Sequence, residues 1–156
     1  MKKIILFILV AFLAPVIASS QTVSYEVYAL KFAAAEHASP ISVFAMNAPG
    51  NDSLKIFFMI WLVKGNNGKN ILVDAGFLKD MEEAKNFGIV NFIRPDSMLF
   101  RVGLKPEDIT DIILTHPHWD HIDGIDMFPN ARVWIQKEDF NYFVGGAWQS
   151  GGNNWS

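Results

Sequence analysis

The sequence THPHWDHIDG, residues 115–124, holds three of the four histidines in the chain. His116 and His118 stand two positions apart, so an extended backbone projects both side chains to the same side. Pro117 favours that extended form, because a residue that precedes proline is disfavoured in the helical region. The spacing therefore predicts that His116 and His118 bind one metal ion from a loop, unlike helical zinc motifs with i, i+4 spacing.

Asp120 and His121 are adjacent, so they point in different directions from the first pair and can serve a second metal ion. A hydrolytic two-metal centre holds its ions about 3.5–4 Å apart, with a hydroxide between them. In such a centre, Asp120 can ligate a metal, orient the attacking water and take a proton from it. The motif therefore predicts a site for two divalent metal ions with Asp120 as its catalytic residue.

Composition narrows the choice of metal and of function. The chain has 156 residues, no cysteine, 51% apolar and 19% charged residues, and a formal net charge of −3. Without thiolates, the ligands must be imidazole or carboxylate, which suits Zn²⁺ and also Mn²⁺, Fe²⁺ or Co²⁺. Zinc is the expected ion, because it lowers the pKa of a bound water to about 7. The apolar content argues against disorder, and the small net charge without a basic run argues against a nucleic-acid partner.

The first twenty residues are typical of a secretory signal peptide. A short positive region precedes an apolar run at residues 4–18, and small residues follow as far as Ser20. That run is short for a membrane span, which needs about 18 residues or more, and a retained membrane anchor is the alternative. We therefore predict a signal peptide at residues 1–20 and an exported protein, periplasmic or secreted, without membrane association after cleavage.

Alternating and β-branched stretches predict strands along the rest of the chain. They fall at residues 23–32, 56–63, 70–73, within 109–115, and at 131–136. Short helices are predicted at 81–87, at 96–102 with Asp96 as the cap, within 122–128, and from Lys137 onward, while residues 33–53 are predicted to be a loop. Strands followed by strand–helix alternation predict an α/β fold with a mixed β-sheet and flanking helices.

The histidine-rich stretch resembles the H-x-H-x-D-H signature of the metallo-β-lactamase superfamily. Residues 71–76, ILVDAG, resemble the strand of that family that ends in an aspartate and a glycine near the metals. Within the superfamily, residues 101–124 and 128–140 look most like the N-acyl homoserine lactone lactonases. The resemblance covers about residues 25–144, and it implies an αβ/βα sandwich of which this chain holds the N-terminal half only.

Carried onto this sequence, the resemblance implies that His116 and His118 bind the first metal ion. It also implies that Asp120 and His121 bind the second. Asp74 would then hydrogen-bond near the site without binding metal. The alternative for Asp74 is a carboxylate that only caps the turn after a strand.

Three further residues near or outside the motif have open interpretations. Trp119, between the ligands, either lines the substrate pocket or packs beneath it. Asp123 replaces the commoner small residue of the family, and we interpret it as exposed or as negative charge at the mouth of the site. His37 has no ligand-spaced neighbour, so we interpret it as a solvated loop residue.

The resemblance also implies ligands that this sequence does not contain. The superfamily completes its site with a later histidine, a bridging aspartate and a further histidine, and no histidine follows His121 here. We therefore expect residues 21–156 to be a partial hydrolase domain from a longer protein, with a degenerate half-domain as the alternative. In both cases the apolar strand at 56–63 lacks part of its cover, so the chain alone should expose apolar sheet and bind metal weakly.

The function implied by the resemblance is a metal-dependent hydrolase that opens a lactone ring of the N-acyl homoserine lactone type through a metal-bound hydroxide. Its partner would be a small-molecule lactone or a related cyclic ester or amide. Hydrolysis of a β-lactam, a thioester or another ester by the same fold is the first alternative. An inactive metal-binding module is the second, and it predicts that Asp120→Asn changes metal retention alone.

Overall fold

The structure, a computed structural model, describes residues 22–48 and 52–146, and these residues contain eight strands. The strands are β1 (Tyr25–Ala35), β2 (Ser39–Pro40), β3 (Ser53–Leu54), β4 (Phe57–Gly65), β5 (Asn70–Val73), β6 (Ile89–Val90), β7 (Asp111–Ile113) and β8 (Arg132–Trp134). Six of them form one sheet in the order β6-β1-β4-β5-β7-β8. β1, β4 and β5 pair antiparallel, whereas β7 and β8 run parallel to β5. The predicted mixed sheet is thus confirmed.

Four short α-helices connect or flank the strands within the described residues. They are α1 (Glu82–Asn86), α2 (Pro95–Met98), α3 (Trp119–Ile122) and α4 (Lys137–Asn141). No helix in this part of the chain combines the length and apolar character that crossing a bilayer requires. The predicted signal peptide at residues 1–20 lies outside the described residues.

Two local predictions differ from the structure. The interval 33–53 is not a plain loop, because β1 continues to Ala35 and β2 pairs with β3 in a separate small sheet. Asp96 is not the cap of α2, which begins one residue earlier at Pro95. Proline suits the first helical position because its missing N–H would have no partner there. Asp96 instead accepts the backbone N–H of Ser97 at 2.7 Å.

The main sheet is buried on one face only. Along β4, Phe58, Ile60 and Leu62 are buried, and the residues between them are exposed: Phe57, Met59 and Trp61. This alternation arises because successive side chains of a strand point to opposite faces. The buried face packs against the chain that contains α1 and α2, where Phe77 and Leu99 are fully buried.

A row of apolar side chains crosses the exposed face of the sheet. Ala29, Trp61, Val73, Ile113 and Trp134 are register partners on successive strands. Trp61, Ile113 and Trp134 are 43%, 45% and 49% exposed. A contiguous apolar surface of this kind is typical of a face that packs against further protein. The expectation that the chain exposes apolar sheet therefore agrees with the described structure.

A polar group interrupts the same face at the start of β7. Trp134 Nε1 donates to Asp111 Oδ1 at 2.9 Å, and Lys69 Nζ donates to Asp111 Oδ2 at 3.1 Å. These hydrogen bonds, that from Trp134 foremost, lower the pKa of Asp111 to about 2. The ionised carboxylate therefore ties the edge strand β8 and the β4–β5 turn to the centre of the sheet.

Asp111→Asn is expected to destabilise the fold at neutral pH and to have a shrinking effect as the pH falls. A carboxylate whose pKa drops from 3.8 to about 2 on folding stabilises the native state fully above about pH 4. That contribution is lost as the pH falls toward 2. Urea unfolding of both proteins at pH 7, 4 and 2.5 measures this, with Asp80→Asn on an exposed carboxylate as control. A stability difference that does not change with pH would contradict the assignment.

Candidate metal centre

The parallel pairing of β5 and β7 brings the predicted site residues to one edge of the sheet. Asp74 follows β5 directly, and Thr115 comes two residues after β7. Because neighbouring parallel strands end at the same edge, the two residues meet there: the Thr115 backbone N–H donates to Asp74 Oδ1 at 2.8 Å. The Asp74 backbone N–H in turn donates to the Ile113 carbonyl oxygen at 2.9 Å. These two hydrogen bonds thus hold the ends of β5 and β7 together just before His116 in the chain.

The histidine motif continues from this edge as an extended turn and then a helix. His118 is the N-cap of α3 and has an extended backbone, with φ −75° and ψ 154°. α3 itself begins at Trp119, so Asp120 and His121 lie in its first turn. The short helix predicted within residues 122–128 is present as a 3-10 helix at Ile125–Met127, whereas α3 is an additional helix inside a motif predicted to be a loop. His116 and His118 project from the extended part, as the spacing predicts.

The four predicted ligands come together as two pairs. His116 Nε2 lies 3.0 Å from His118 Nδ1, and His121 Nε2 lies 3.3 Å from Asp120 Oδ2. The pairs are neighbours, since the ring centroids of His116 and His121 are 4.0 Å apart. Within residues 22–48 and 52–146, no group of three or more histidine or acidic side chains is arranged to hold one metal ion.

The donor pairs fit divalent zinc in chemistry and in spacing. Two ligands of a tetrahedral zinc ion, with bonds of about 2.0–2.1 Å, lie roughly 3.3 Å from one another. Both pairs lie close to that separation, and neutral imidazole and carboxylate are ordinary zinc ligands. Each pair therefore suits part of one ion's coordination shell.

Asp74 is buried and turned toward His121. Its backbone has φ +62°, a left-handed conformation that aspartate tolerates better than most residues. His121 Nδ1 donates to Asp74 Oδ2 at 2.7 Å, and the Thr115 hydroxyl lies 2.9 Å from the same oxygen. Burial raises the pKa of Asp74, but the hydrogen bonds from His121 and Thr115 outweigh it and lower the pKa overall. Asp74 thus contacts a predicted ligand as an ionised carboxylate.

The ionisable side chains of the site shift one another's pKa values. Burial opposes the charged form of His121, yet its contacts with Asp120 and Asp74 raise the pKa of His121 to about 9. The pKa of Asp120 is lowered, because contact with His121 outweighs the opposing effect of burial. Burial, together with the neighbouring His121 and His118, lowers the pKa of His116. Asp120 is therefore an ionised acceptor at neutral pH.

Close backbone contacts hold α3 against the chain after β5. The Ala75 N–H donates to the His121 carbonyl oxygen, and the Gly124 N–H donates to the Gly76 carbonyl oxygen, each at 2.8 Å. A side chain at Gly124 would overlap the Ala75 carbonyl oxygen, so this approach requires glycine. The positions of Asp120 and His121 therefore depend on close backbone contact between two segments that are far apart in sequence.

Asp123 also helps to hold α3 against the chain after β5. Its Oδ2 accepts the backbone N–H of Leu78 at 2.9 Å, and the residue is partly buried. The interpretation of Asp123 as an exposed charge is therefore wrong. The reason is that the chain after β5 lies beside α3, so the backbone N–H of Leu78 is within reach of the carboxylate.

Trp119 belongs to an aromatic cluster beneath the motif. Its ring centroid lies 4.8 Å from that of Phe77, 5.7 Å from Phe87 and 6.1 Å from Phe58. Of the two interpretations of Trp119, packing beneath the site is the one that these contacts support. The ring anchors the start of α3 to the core.

Sequence reasoning missed Thr115 and the glycine contacts, and it placed His37 outside the site. Thr115 Oγ1 contacts Asp74 and lies 3.1 Å from His116 Nδ1. The one available signal was its position immediately before the first ligand. His37 lies beside Glu36, and its side chain is 86% exposed.

The sheet edge and its donor pairs define an α/β domain with a candidate two-metal centre. The profile described as the metallo-beta-lactamase superfamily matches residues 59–138, about half of the chain. The chain therefore belongs to the metallo-β-lactamase superfamily.

Two curated relatives illustrate the range of proteins that the chain resembles. An N-acyl homoserine lactonase of Bacillus cereus is 32% identical over 111 residues, which cover 64% of this chain and 44% of that protein. The exodeoxyribonuclease WalJ of Streptococcus pneumoniae is 28% identical over 90 residues, covering 52% of this chain and 32% of that protein. The predicted resemblance to the superfamily, with lactonases among the similar proteins, is confirmed.

Solved structures share the fold at low identity. A quorum-quenching N-acyl homoserine lactone lactonase aligns with a TM-score of 0.63 and 23% identity, over 79% of this chain and 50% of that one. AidC, a dizinc quorum-quenching lactonase, aligns with a TM-score of 0.52 and 23% identity, over 84% of this chain and 47% of that one. This chain thus spans between about a third and a half of the length of these relatives.

Proposed function

We propose that the protein is a metal-dependent hydrolase that opens the ring of an N-acyl homoserine lactone or a related lactone. The observation that carries the proposal is the arrangement of His116 with His118, and of Asp120 with His121, as neighbouring donor pairs at one sheet edge. The similarity to the Bacillus cereus lactonase supports the choice of substrate class.

In this proposal His116 and His118 hold one divalent ion, and Asp120 and His121 hold another, with zinc as the expected metal. When bound, zinc supplies Lewis acidity and lowers the pKa of a bound water to about 7. Further ligands for both ions would come from a longer chain, since the matched relatives are at least about twice as long as their matched parts.

The residues of this chain would orient the reacting groups and move the proton. Asp120 is ionised and its side chain is 26% exposed, so it can accept a proton from a water beside it. Asp74 holds the ring of His121 through Nδ1 and leaves Nε2 directed toward Asp120. Trp119 packs α3 against the core and so limits the movement of Asp120.

The proposal also covers where the protein acts and which class of substrate it takes. The signal peptide at residues 1–20 would export the protein to the periplasm or outside the cell, where small lactones diffuse. The net charge of −3 and the lack of a basic run favour a small-molecule substrate over DNA, even though one relative is an exodeoxyribonuclease.

A substrate panel tests the proposed reaction. We expect the full-length protein that contains this chain, loaded with zinc, to hydrolyse hexanoyl-homoserine lactone faster than a β-lactam, a thioester or single-stranded DNA. Asp120→Asn should lower the rate by about 100-fold or more, because it removes the proton acceptor and a metal ligand. Asp126→Asn changes an exposed aspartate six positions further along and should leave the rate unchanged.

Two results would overturn the proposal. Turnover of a β-lactam, a thioester or DNA with inert lactones would assign another reaction to the site. Zinc binding without turnover of any substrate would support an inactive metal-binding module instead.

A further inference from the structure

Thr115 lies at the centre of a hydrogen-bond network that joins the two donor pairs. Its Oγ1 is 3.0 Å from Asp74 Oδ1 and 2.9 Å from Asp74 Oδ2. The same Oγ1 is 3.1 Å from His116 Nδ1 and 3.4 Å from His121 Nδ1. One hydroxyl group thus stands between a buried carboxylate and a histidine of each pair.

The count of hydrogens fixes the direction of these bonds. A threonine hydroxyl carries one hydrogen and can also accept through its lone pairs. Asp74 already accepts the Thr115 backbone N–H and, as a carboxylate, has no hydrogen to give, so the hydroxyl hydrogen is directed to Asp74. Oγ1 must then accept at its contact with His116. The neutral His116 ring therefore carries its hydrogen on Nδ1.

In this tautomer the other ring nitrogen of His116, Nε2, carries no hydrogen and can therefore bind a metal ion. Its Nε2 faces His118 Nδ1 at 3.0 Å, which is the predicted first donor pair. The same carboxylate acts directly on the second pair, because His121 Nδ1 donates to Asp74 Oδ2 at 2.7 Å. When His121 loses one of its two ring hydrogens to bind metal, this contact keeps the remaining hydrogen on Nδ1 and leaves Nε2, beside Asp120 Oδ2, as the donor atom.

We propose that Thr115 is a positioning residue that relays the Asp74 carboxylate to His116, so that one buried acid sets the tautomers of a ligand in both donor pairs. The role of the relay in metal binding rests on the proposed function, whereas the tautomer of His116 in the metal-free protein does not. Partners that orient the remote nitrogen of a histidine ligand typically change metal affinity 10–100-fold.

Histidine tautomers can be read directly in the metal-free protein by long-range ¹H–¹⁵N NMR. We expect wild-type His116 to carry its hydrogen on Nδ1. Thr115→Val keeps the shape but removes the hydroxyl, so His116 should become a mixture of tautomers, whereas Thr115→Ser should preserve Nδ1–H. An Nε2–H ring for His116 in the wild type would overturn the proposal without any variant. An unchanged tautomer in Thr115→Val would overturn it too.

Zinc titration of the same three proteins supplies a second readout that does not depend on catalysis. Thr115→Val should bind zinc about 10–100-fold more weakly than wild type, with Thr115→Ser close to wild type. Equal affinities of the valine variant and the wild type would overturn the relay. If the affinity difference appears and no lactone is hydrolysed, the relay stands and the proposed function fails.

Discussion

Asp74→Ala is expected to destabilise the fold by about 3 kcal/mol and to weaken zinc binding at least about 10-fold. The carboxylate accepts the Thr115 backbone N–H and the His121 Nδ1–H, and it lies within 2.9 Å of the Thr115 hydroxyl. Alanine would remove the acceptor of the Thr115 N–H and of the His121 Nδ1–H at a position that is only 7% exposed. It would also have to adopt φ +62°, which is unfavourable for a residue with a Cβ and no polar side chain.

Asp74→Asn separates the charge of this residue from its shape. Asparagine tolerates the left-handed backbone and can still accept the Thr115 N–H, but its amide group offers no second charged oxygen to His121. Urea unfolding and zinc titration of the three proteins measure both effects, and asparagine should fall between wild type and alanine. An Asp74→Ala protein that unfolds at the wild-type urea concentration would show that the network does not stabilise this edge.

Gly124→Ala is expected to cost about 3 kcal/mol and to displace Asp120 and His121 together. The added methyl group would overlap the Ala75 carbonyl oxygen and lie 2.6 Å from Met127 Cε. Met127 can move, but Ala75 is held by its N–H bond to the His121 carbonyl oxygen. Relief of the overlap would therefore pull α3 away from the strand end that holds Asp74.

Gly145→Ala is the matched control, because a Cβ at Gly145 would meet no atom within 4 Å. Thermal unfolding and zinc affinity should change strongly in Gly124→Ala and little in Gly145→Ala. Similar effects of the two substitutions would mean that the close approach of α3 to the chain after β5 is unimportant.

Much of the sheet and the donor pairs follows from local sequence. The boundaries of β5 are those predicted, Asn70–Val73, because a short apolar run is bounded there by turn residues. The i, i+2 spacing and Pro117 were sufficient to pair His116 with His118. In both cases the signal is contained within a few consecutive residues.

The features that sequence reasoning missed depend on contacts between distant segments. Asp123 is 45 positions from the Leu78 N–H that it accepts, and Thr115 is 41 positions from Asp74. Helix α3 was likewise not predicted within the motif, and its first residue, Trp119, packs on Phe77 from a distant segment. These contacts become visible only once β5 and β7 lie side by side.

The most direct test of the account is the metal dependence of lactone hydrolysis by the full-length protein that contains this chain. After removal of metal with a chelator, hexanoyl-homoserine lactone should not be hydrolysed. Added zinc should restore turnover in wild type and in Asp126→Asn, but not in Asp120→Asn. Turnover that persists in the chelated protein, or zinc-restored turnover that is equal in Asp120→Asn, would contradict a hydrolase built on these two donor pairs.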